Sequence, residues 1–473
     1  MKFASYVQPL VCLALLFGCS SAAAQKYGYK VNEYETYDTD DSTLADYVFP
    51  GDRETSAEPA DLPSLAATVR RGDGSLQSLS VSVGKPFTIM QATEGHVIIH
   101  PYLSHWGDGK LLLRVSPDMD ISDSEEFVLS SSDEGKTWEG MSDWPFGDDR
   151  GRHFQQRHVQ LPDGRSLVTS TRFMSTEREN EYILPAYLSD KEGKSFTRID
   201  PVPFPLNWGR ALDYQDPAER AGQRRGGPRN FMPNFLTAPG KPSQLMQDYR
   251  AAYGKFWLTG YIAQLFPLDD KTLLAFVAVN TMPRGERGKN NVICLESLDR
   301  GRSWALRSVP GPFDPVLDEK NRRKKPLDGF CEPSVTRLKN GNHLIVMRIG
   351  AWQRLYSAVS TDECRTWSRP TEISVFGILP KVITLPDGTL ALCTGRPDNT
   401  LSFSFDNGES WPWTLRLLDQ TNPRHPSTRN NDMIQVSPGR LLYVYDYGYR
   451  RPDPGVNVPH AIEGVFVDVS MAP

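Results

Sequence analysis

Ser131-Ser132-Asp133-Glu134-Gly135-Lys136-Thr137-Trp138 decides the fold, because it does not stand alone. The same order, Ser-x-Asp-x-Gly-x-Ser/Thr-Trp, returns at Ser297 to Trp304 and at Ser404 to Trp411. A variant at Ser360 to Trp367 has Cys364 in the glycine place, and a weaker copy at Ser189 to Phe196 has Lys191 for Asp and Phe196 for Trp. The spacing has a mechanical reason. An Asp carboxylate accepts backbone N–H groups within its own turn. Glycine takes the left-handed conformation that other residues resist. The closing aromatic anchors the turn between neighbouring sheets. Cys364 is expected to cost about 1 kcal/mol at its position and to distort the turn there.

A second pattern precedes the first. Short apolar runs are joined by turns at Trp106-Gly107-Asp108-Gly109, Pro162-Asp163-Gly164, Leu268-Asp269-Asp270-Lys271, Lys339-Asn340-Gly341, Pro386-Asp387-Gly388 and Ser437-Pro438-Gly439. Asp-Gly and Asn-Gly between β-rich runs are hairpin signals. One hairpin plus one Asp motif makes one four-stranded sheet, which cannot bury both faces alone. Six such sheets closing radially predict an all-β, six-bladed β-propeller. The interval from Phe196 to Leu265, rich in Pro, Gly and Arg, reads as an insertion over about 197–264; a seventh blade is the alternative. The propeller is expected over 86–473. Residues 20–85, acidic and polar as in Tyr37-Asp38-Thr39-Asp40-Asp41, read as a linker or an arm over it.

Composition narrows the class. Across 473 residues, 39% hydrophobic and 23% charged exclude a disordered tail or a coiled coil. A net charge of −5 gives no global field for nucleic acid. Near the start, Lys2 precedes an apolar core, Val11 to Phe17, too short to span a bilayer. Leu16-Phe17-Gly18-Cys19 resembles a lipoprotein cleavage box, with 1–19 as signal peptide and Cys19 as the lipidated residue. The alternative is cleavage after Ala22-Ala23-Ala24. Both predict export, to the periplasm or the cell surface. The lipid anchor, on the outer membrane, is then the only membrane contact. Cys294, Cys331, Cys364 and Cys393 are widely spaced without CxxC, so no zinc is expected, and no other metal or cofactor is indicated. One or two disulfides and separate buried thiols both remain open.

The Ser-x-Asp-x-Gly-x-Thr-Trp motif resembles the Asp box of the sialidase superfamily, and the likeness runs from about Pro86 to Val469. It implies a propeller whose Asp boxes lie on the rim, away from the centre. A second resemblance lies in Cys331-Glu332-Pro333-Ser334 through Val346-Met347-Arg348, similar to the sialidase segment in which a Glu precedes Pro-Ser and an Arg ends the following strand. A hairpin turning at Asn340-Gly341 places Glu332 opposite Arg348. The resemblance implies that Glu332 is a catalytic base or nucleophile and that Arg348 binds a substrate carboxylate. Arg172 and Arg396 stand at matching distances past Gly164 and Gly388. Three guanidiniums in register predict an anion site, since Arg grips carboxylates in a bidentate fork. Asp120, shortly before the first Asp box, is about where sialidases carry the general acid.

Two departures qualify the likeness. The Arg-Ile-Pro of sialidases is replaced by Ile98-Ile99-His100-Pro101, with His100 near the Arg place as a substrate-binding candidate. The nucleophilic Tyr is replaced by Asn430 in Thr428-Arg429-Asn430-Asn431-Asp432, and Tyr443, Tyr445 and Tyr447 beyond it alternate along a strand as packing residues do. His153, in Arg150-Gly151-Arg152-His153, gains weight as a candidate catalytic base. The first expectation is an exported, retaining exo-glycosidase that removes a terminal acidic sugar from an anionic glycan. The alternatives are a uronate polysaccharide lyase similar to propeller ulvan lyases, with the Arg224-Arg225-Gly226-Gly227-Pro228-Arg229 loop lining its groove, and a glycan-binding propeller without catalysis.

Overall fold

The computed structural model of the chain describes residues 64–91, 98–117, 127–140, 156–205 apart from 172, 177, 179 and 180, 258–281 apart from 260, 289–312, 327–418 apart from 328, 351, 352 and 397, 430–447 and 461–472. Among these residues the only helical element is one 3-10 turn, Gly107–Gly109. All six expected hairpins form, each as the first two strands of an antiparallel sheet. Blade 1 opens with Ile98–His105 and Leu111–Pro117, blade 2 with Gln156–Gln160 and Ser166–Ser170, and blade 3 with Tyr261–Pro267 and Leu273–Thr281. Blade 4 opens with Cys331–Arg337 and His343–Arg348, blade 5 with Ile378–Thr384 and Leu390–Gly395, and blade 6 with Asn431–Ser437 and Arg440–Tyr447. The first strand of each blade touches the first strand of the next, and blade 6 returns to blade 1. The ring therefore closes with six blades around an axis lined by first strands.

Apolar layers between blades hold the ring. One joins blades 2 and 3 through Leu167, Ala275, Val277 and Trp304. The next joins blades 3 and 4 through Phe276, Cys294, Ile345 and Met347. The layer between blades 6 and 1 carries Leu442, Val444, Leu111 and Leu113. Blades 1 and 2 meet where Trp106 stacks edge-on against His158, at 5.3 Å between centroids.

Blade 6 is completed from the other end of the chain. Its third strand, Ala461–Ala472, pairs with Leu76–Val83 and Phe87–Gln91, and Ser64–Arg70 adds the outer edge. The last part of the acidic stretch is thus sheet, and its alternating Leu79, Val81 and Val83 are buried between blades 5 and 6. Two short strands of the long interval after Phe196 join two from before it in a small separate sheet. Its strands lie in the order Phe204–Pro205, Glu181–Ile183, Phe173–Ser175, Leu258–Thr259. This sheet prolongs the middle hairpin of blade 2 on the side where first strands begin. The rest of the insertion, the Arg224 to Arg229 loop included, lies outside the described residues, as do Cys19 and the whole signal segment.

The Asp boxes act between blades. In blade 1, Ser131 Oγ donates to Asp133 at 2.8 Å, and Gly135 N–H donates to Ser131 Oγ at 2.8 Å. Thr137 donates to Asp133 through both N–H, at 2.9 Å, and Oγ1, at 2.7 Å. The glycine then packs on the preceding blade: Gly135 on Leu442, Gly301 on Leu167, Gly408 on Leu344. Gly193 shows the constraint most sharply. A Cβ there would fall 1.9 Å from Nε1 of Trp106, and its φ is +68°. In that weaker box the carboxylate comes from Asp190, one position early, which accepts from Lys194 N–H at 2.9 Å and from Ser195 Oγ at 2.6 Å. Cys364 corrects an expectation. It takes φ of 66° and keeps the N–H bond to Ser360 Oγ at 2.9 Å, so the turn is undistorted. Its buried thiol packs into the layer between blades 3 and 4. Cys294, Cys364 and Cys393 are free and buried, which settles for these three the choice between disulfides and thiols; Cys331 is buried as well.

Candidate active site on the propeller axis

All six first strands contribute to one cavity at the axis. Blades 1, 2 and 3 supply Tyr102, Arg157, Tyr261 and Gln264. Blades 4, 5 and 6 supply Glu332, Ser334, Leu379, Lys381, Asn431 and Asp432.

A local backbone device brings these side chains inward. The first strands of blades 1, 4 and 5 each carry a register shift near their start, between Ile99 and Tyr102, Cys331 and Ser334, and Ile378 and Lys381. At each shift a residue precedes proline in left-handed conformation: His100 at φ 56°, Glu332 at 49°, Leu379 at 45°. A fourth, Arg396 at 51°, follows the second strand of blade 5 and precedes Pro397. Every other non-glycine residue with positive φ, among the described residues, lies in an Asp box. The residue before proline is sterically pushed away from helical backbone, and left-handed backbone is costly for any side chain. Such strain, of order 1–3 kcal/mol per residue, clusters at functional sites. Here it bulges the strand so that Tyr102, Ser334 and Lys381 face the axis.

The first strands are laced together by side chains that bond the neighbouring backbone. Gln264 and Val335 exchange two bonds, 2.9 and 2.7 Å. Ser334 Oγ accepts from Val382 N–H at 3.0 Å, and Arg157 Nε donates to Ala263 O at 3.1 Å. Asp432 accepts from Leu103 N–H and Met433 N–H, both at 2.8 Å, and lies 3.6 Å from Lys381 Nζ. With both oxygens engaged, Asp432 holds blade 6 to blade 1.

Glu332 is fixed at both oxygens. Oε1 forms an ion pair with Arg348, and Oε2 accepts the Leu379 N–H at 2.7 Å. The expected pairing of Glu332 with Arg348 is therefore present. The bulge slips the backbone register by one, so that Cys331 is the Cα partner of Arg348. Across the cavity, the Arg157 guanidinium lies 3.9 Å from the Tyr102 ring centroid and 4.9 Å from that of Tyr261. It donates to the Tyr261 hydroxyl, and the hydroxyls of Tyr102 and Tyr261 are 2.7 Å apart. Behind them, buried His158 bonds Ser104, and burial, with Arg114 and Arg157 nearby, holds its imidazole well below the usual histidine range. At neutral pH His158 is uncharged.

The expected site residues fall in different places. Glu332 lines the cavity and Arg348 pairs with it. His100 is half-buried at the blade 1 bulge, one residue from Pro101 and two from Tyr102, and is not itself a lining residue. Arg396 is buried and also does not line the cavity. Asp120, His153 and Arg172 lie outside the described residues. Tyr443 and Tyr445 are fully buried between blades 5 and 6, where Tyr445 donates to Glu463 at 2.6 Å; they pack. The cations that line the cavity, Arg157 and Lys381, were not among the candidates, nor were Tyr102 and Tyr261. Arg157 is four residues past His153, and Tyr261 fell inside the stretch read as insertion. The pattern of a residue before proline near the start of three first strands, at His100, Glu332 and Leu379, was the available signal for Lys381.

Comparison with known proteins agrees with this architecture. A BNR repeat-like domain is recognised over residues 314–450. No protein of curated function matches the sequence significantly. Among solved structures, a protein of unknown function from Dyadobacter fermentans has a TM-score of 0.56 at 16% identity, covering 82% of this chain and 99% of that one. A Hadza microbial sialidase has a TM-score of 0.46 at 14% identity, covering 79% of this chain and 65% of that one. A NanB sialidase from Streptococcus pneumoniae has a TM-score of 0.45 at 13% identity, covering 82% and 70%. At 16% identity the likeness to the Dyadobacter fermentans protein is one of fold.

Proposed function

We propose that this sialidase-like, six-bladed propeller is an exported exo-glycosidase that hydrolyses a terminal acidic sugar from a glycan. The observation that carries the reading is Glu332, fixed at the axis by Arg348 and the Leu379 N–H, in one cavity with Tyr261, Arg157 and Lys381. A carboxylate held in one rotamer in the same cavity as a tyrosine supplies a nucleophile directly, or serves as the base that takes the proton of Tyr261 when bound sugar draws the two together and the hydroxyl attacks the anomeric carbon. Arg157, Lys381 and Arg348 give the cationic field that an acidic sugar needs. Arg172, Arg396 and His100 are assigned to substrate binding, and Asp120 to protonation of the leaving oxygen. The substrate is an anionic glycan met outside the cytoplasm. The signal segment directs export and lipidation at Cys19 anchors the protein to the outer membrane; no nucleic acid is involved.

A second reading rests on one arrangement, the Tyr102 and Tyr261 hydroxyls joined under the Arg157 guanidinium. A tyrosine beside a guanidinium that neutralises a uronate carboxylate is suited to removing the C5 proton in β-elimination, with His153 as its partner. The deciding experiment incubates the protein with sialosides and with uronate polysaccharides. Free acidic monosaccharide without ultraviolet absorbance of an unsaturated uronate supports hydrolysis. Rising absorbance replaces it with the lyase. Binding without either product leaves the glycan-binding propeller.

A further inference from the structure

Asn431 begins the first strand of blade 6, pairs in register with Tyr445 and lines the axial cavity. It is 3% exposed, and neither Oδ1 nor Nδ2 meets a hydrogen-bond partner among the described residues. Its neighbour Asp432 differs completely: the carboxylate accepts two N–H groups and faces Lys381. Buried polar side chains are almost always bonded, and an unmet amide costs stability that an apolar side chain of the same shape would not. No hydrogen bond of the described residues accounts for an asparagine here.

We infer that Asn431 is a sugar-reading residue, which hydrogen-bonds a donor and an acceptor standing side by side on the bound ring. The inference rests on the proposal that the cavity holds a glycan. An asparagine offers N–H donors and a carbonyl acceptor together. A carboxylate brings acceptors only and leaves Oδ1 unmet; an ammonium brings donors only and leaves Nδ2 unmet. Two vicinal hydroxyls satisfy both, as does an acetamido group. The charged edge of the sugar therefore faces Arg157, Lys381 and Arg348, and its neutral polar edge faces blade 6. A site built around such a pair rejects a ring that lacks one member more strongly than an apolar pocket rejects an extra group.

The test uses the full chain carrying Glu332→Gln, so that ligands are not turned over, with and without Asn431→Leu. The probes are the methyl glycosides of glucuronic acid and N-acetylneuraminic acid, the monodeoxy forms of the first and the N-deacetylated form of the second. Calorimetry reads affinity and thermal melting reads stability. Asn431→Leu is expected to weaken the best probe about 10- to 100-fold while melting no lower than its parent. One deoxy or deacetylated probe is expected to lose a similar factor in the parent and nothing further in the variant, which identifies the group read. Unchanged affinity, or a melting temperature several degrees lower, overturns the inference. If the parent binds neither acidic probe, the acidic-sugar reading fails by itself. Methyl glucoside and methyl N-acetylglucosaminide then replace them, where binding lost in Asn431→Leu sustains the inference and binding of neither overturns it.

Discussion

Glu332 is held by two contacts that do different work. The Arg348 ion pair fixes Oε1, and the Leu379 N–H, turned inward by a left-handed backbone before Pro380, fixes Oε2. Glu332→Gln keeps the shape and the bond from Leu379 but removes the charge. We expect turnover of an acidic aryl glycoside to fall about 10²- to 10⁴-fold with little change in KM. A loss under about tenfold, read by steady-state kinetics, would remove Glu332 from catalysis. The thiols are predicted to be silent. Burial pushes the Cys364 thiol up to about 12, and raises those of Cys294 and Cys393 well above the ordinary range. Thiolate is the reactive form, so iodoacetamide should label none of these in the native protein and all of them after unfolding, as mass spectrometry reads. Native labelling of Cys364 would contradict its place in the layer between blades 3 and 4. At this scale Glu332 and Arg348 were legible because one hairpin turn fixes which residues face each other. Arg157 and Lys381 were not, because nothing local distinguishes a first-strand cation facing the axis from one facing solvent.

The repeated element is a hairpin followed by an Asp box, and the box carboxylates give it a pH signature. Hydrogen bonds from Thr137 and Ser131 hold Asp133 at about 2, and those from Thr366 and Ser360 hold Asp362 at about 2. A carboxyl whose folded value lies below its unfolded value of about 3.9 adds stability that is complete above that value. It is lost as pH falls from there towards 2. Melting at pH 3 is therefore expected below that at pH 6. Asp133→Asn together with Asp362→Asn should narrow the gap, which differential scanning fluorimetry reads; an unchanged gap would show that other groups set the acid limb. Asp133→Ala is expected to cost about 1 kcal/mol in chemical denaturation for its lost hydrogen bonds, with kcat/KM unaltered because the box lies on the face opposite the cavity. Hairpins and boxes were legible because glycine turns and a fixed Ser–Asp–Gly spacing leave a strong local mark. The Asp190 substitution in the weak box was not, since a carboxylate one position early reaches the same N–H groups only once the turn is built. The bulges were half-legible: His100, Glu332 and Leu379 stand before proline in the sequence, but their register shifts come from tertiary pairing.

The whole ring is closed by strands from opposite ends of the chain. Ser64–Arg70 and Leu76–Val83 complete blade 6 on Ala461–Ala472, and Arg71 reaches Asp387 of blade 5 at 2.5 Å. Removing residues through Gly84 would bare the edge of Ala461–Ala472 and expose the partners of Val69, Leu79, Val81 and Val83. At about 1.5–3 kcal/mol for each buried aliphatic side chain, that is comparable with the whole stability of a domain. The truncated chain is expected to lose its single cooperative calorimetric transition; a transition within a few degrees of the full chain would show that five blades and a short sixth suffice. This closure was partly readable, since Leu79 to Val83 alternates apolar and polar as a half-buried strand does, although the acidic stretch before it favours a linker. Six blades followed from six turns, whereas the small sheet beside blade 2 has no repeat signature. On this reading six first strands converge on one sugar site. A crystal structure of the Glu332→Gln chain with the acidic sugar that the native protein releases would test this convergence. The ring is expected on the axis, with its anomeric carbon between residue 332 and Tyr261 and its carboxylate among Arg157, Lys381 and Arg348. A sugar bound on the rim, with an empty axis, would contradict it.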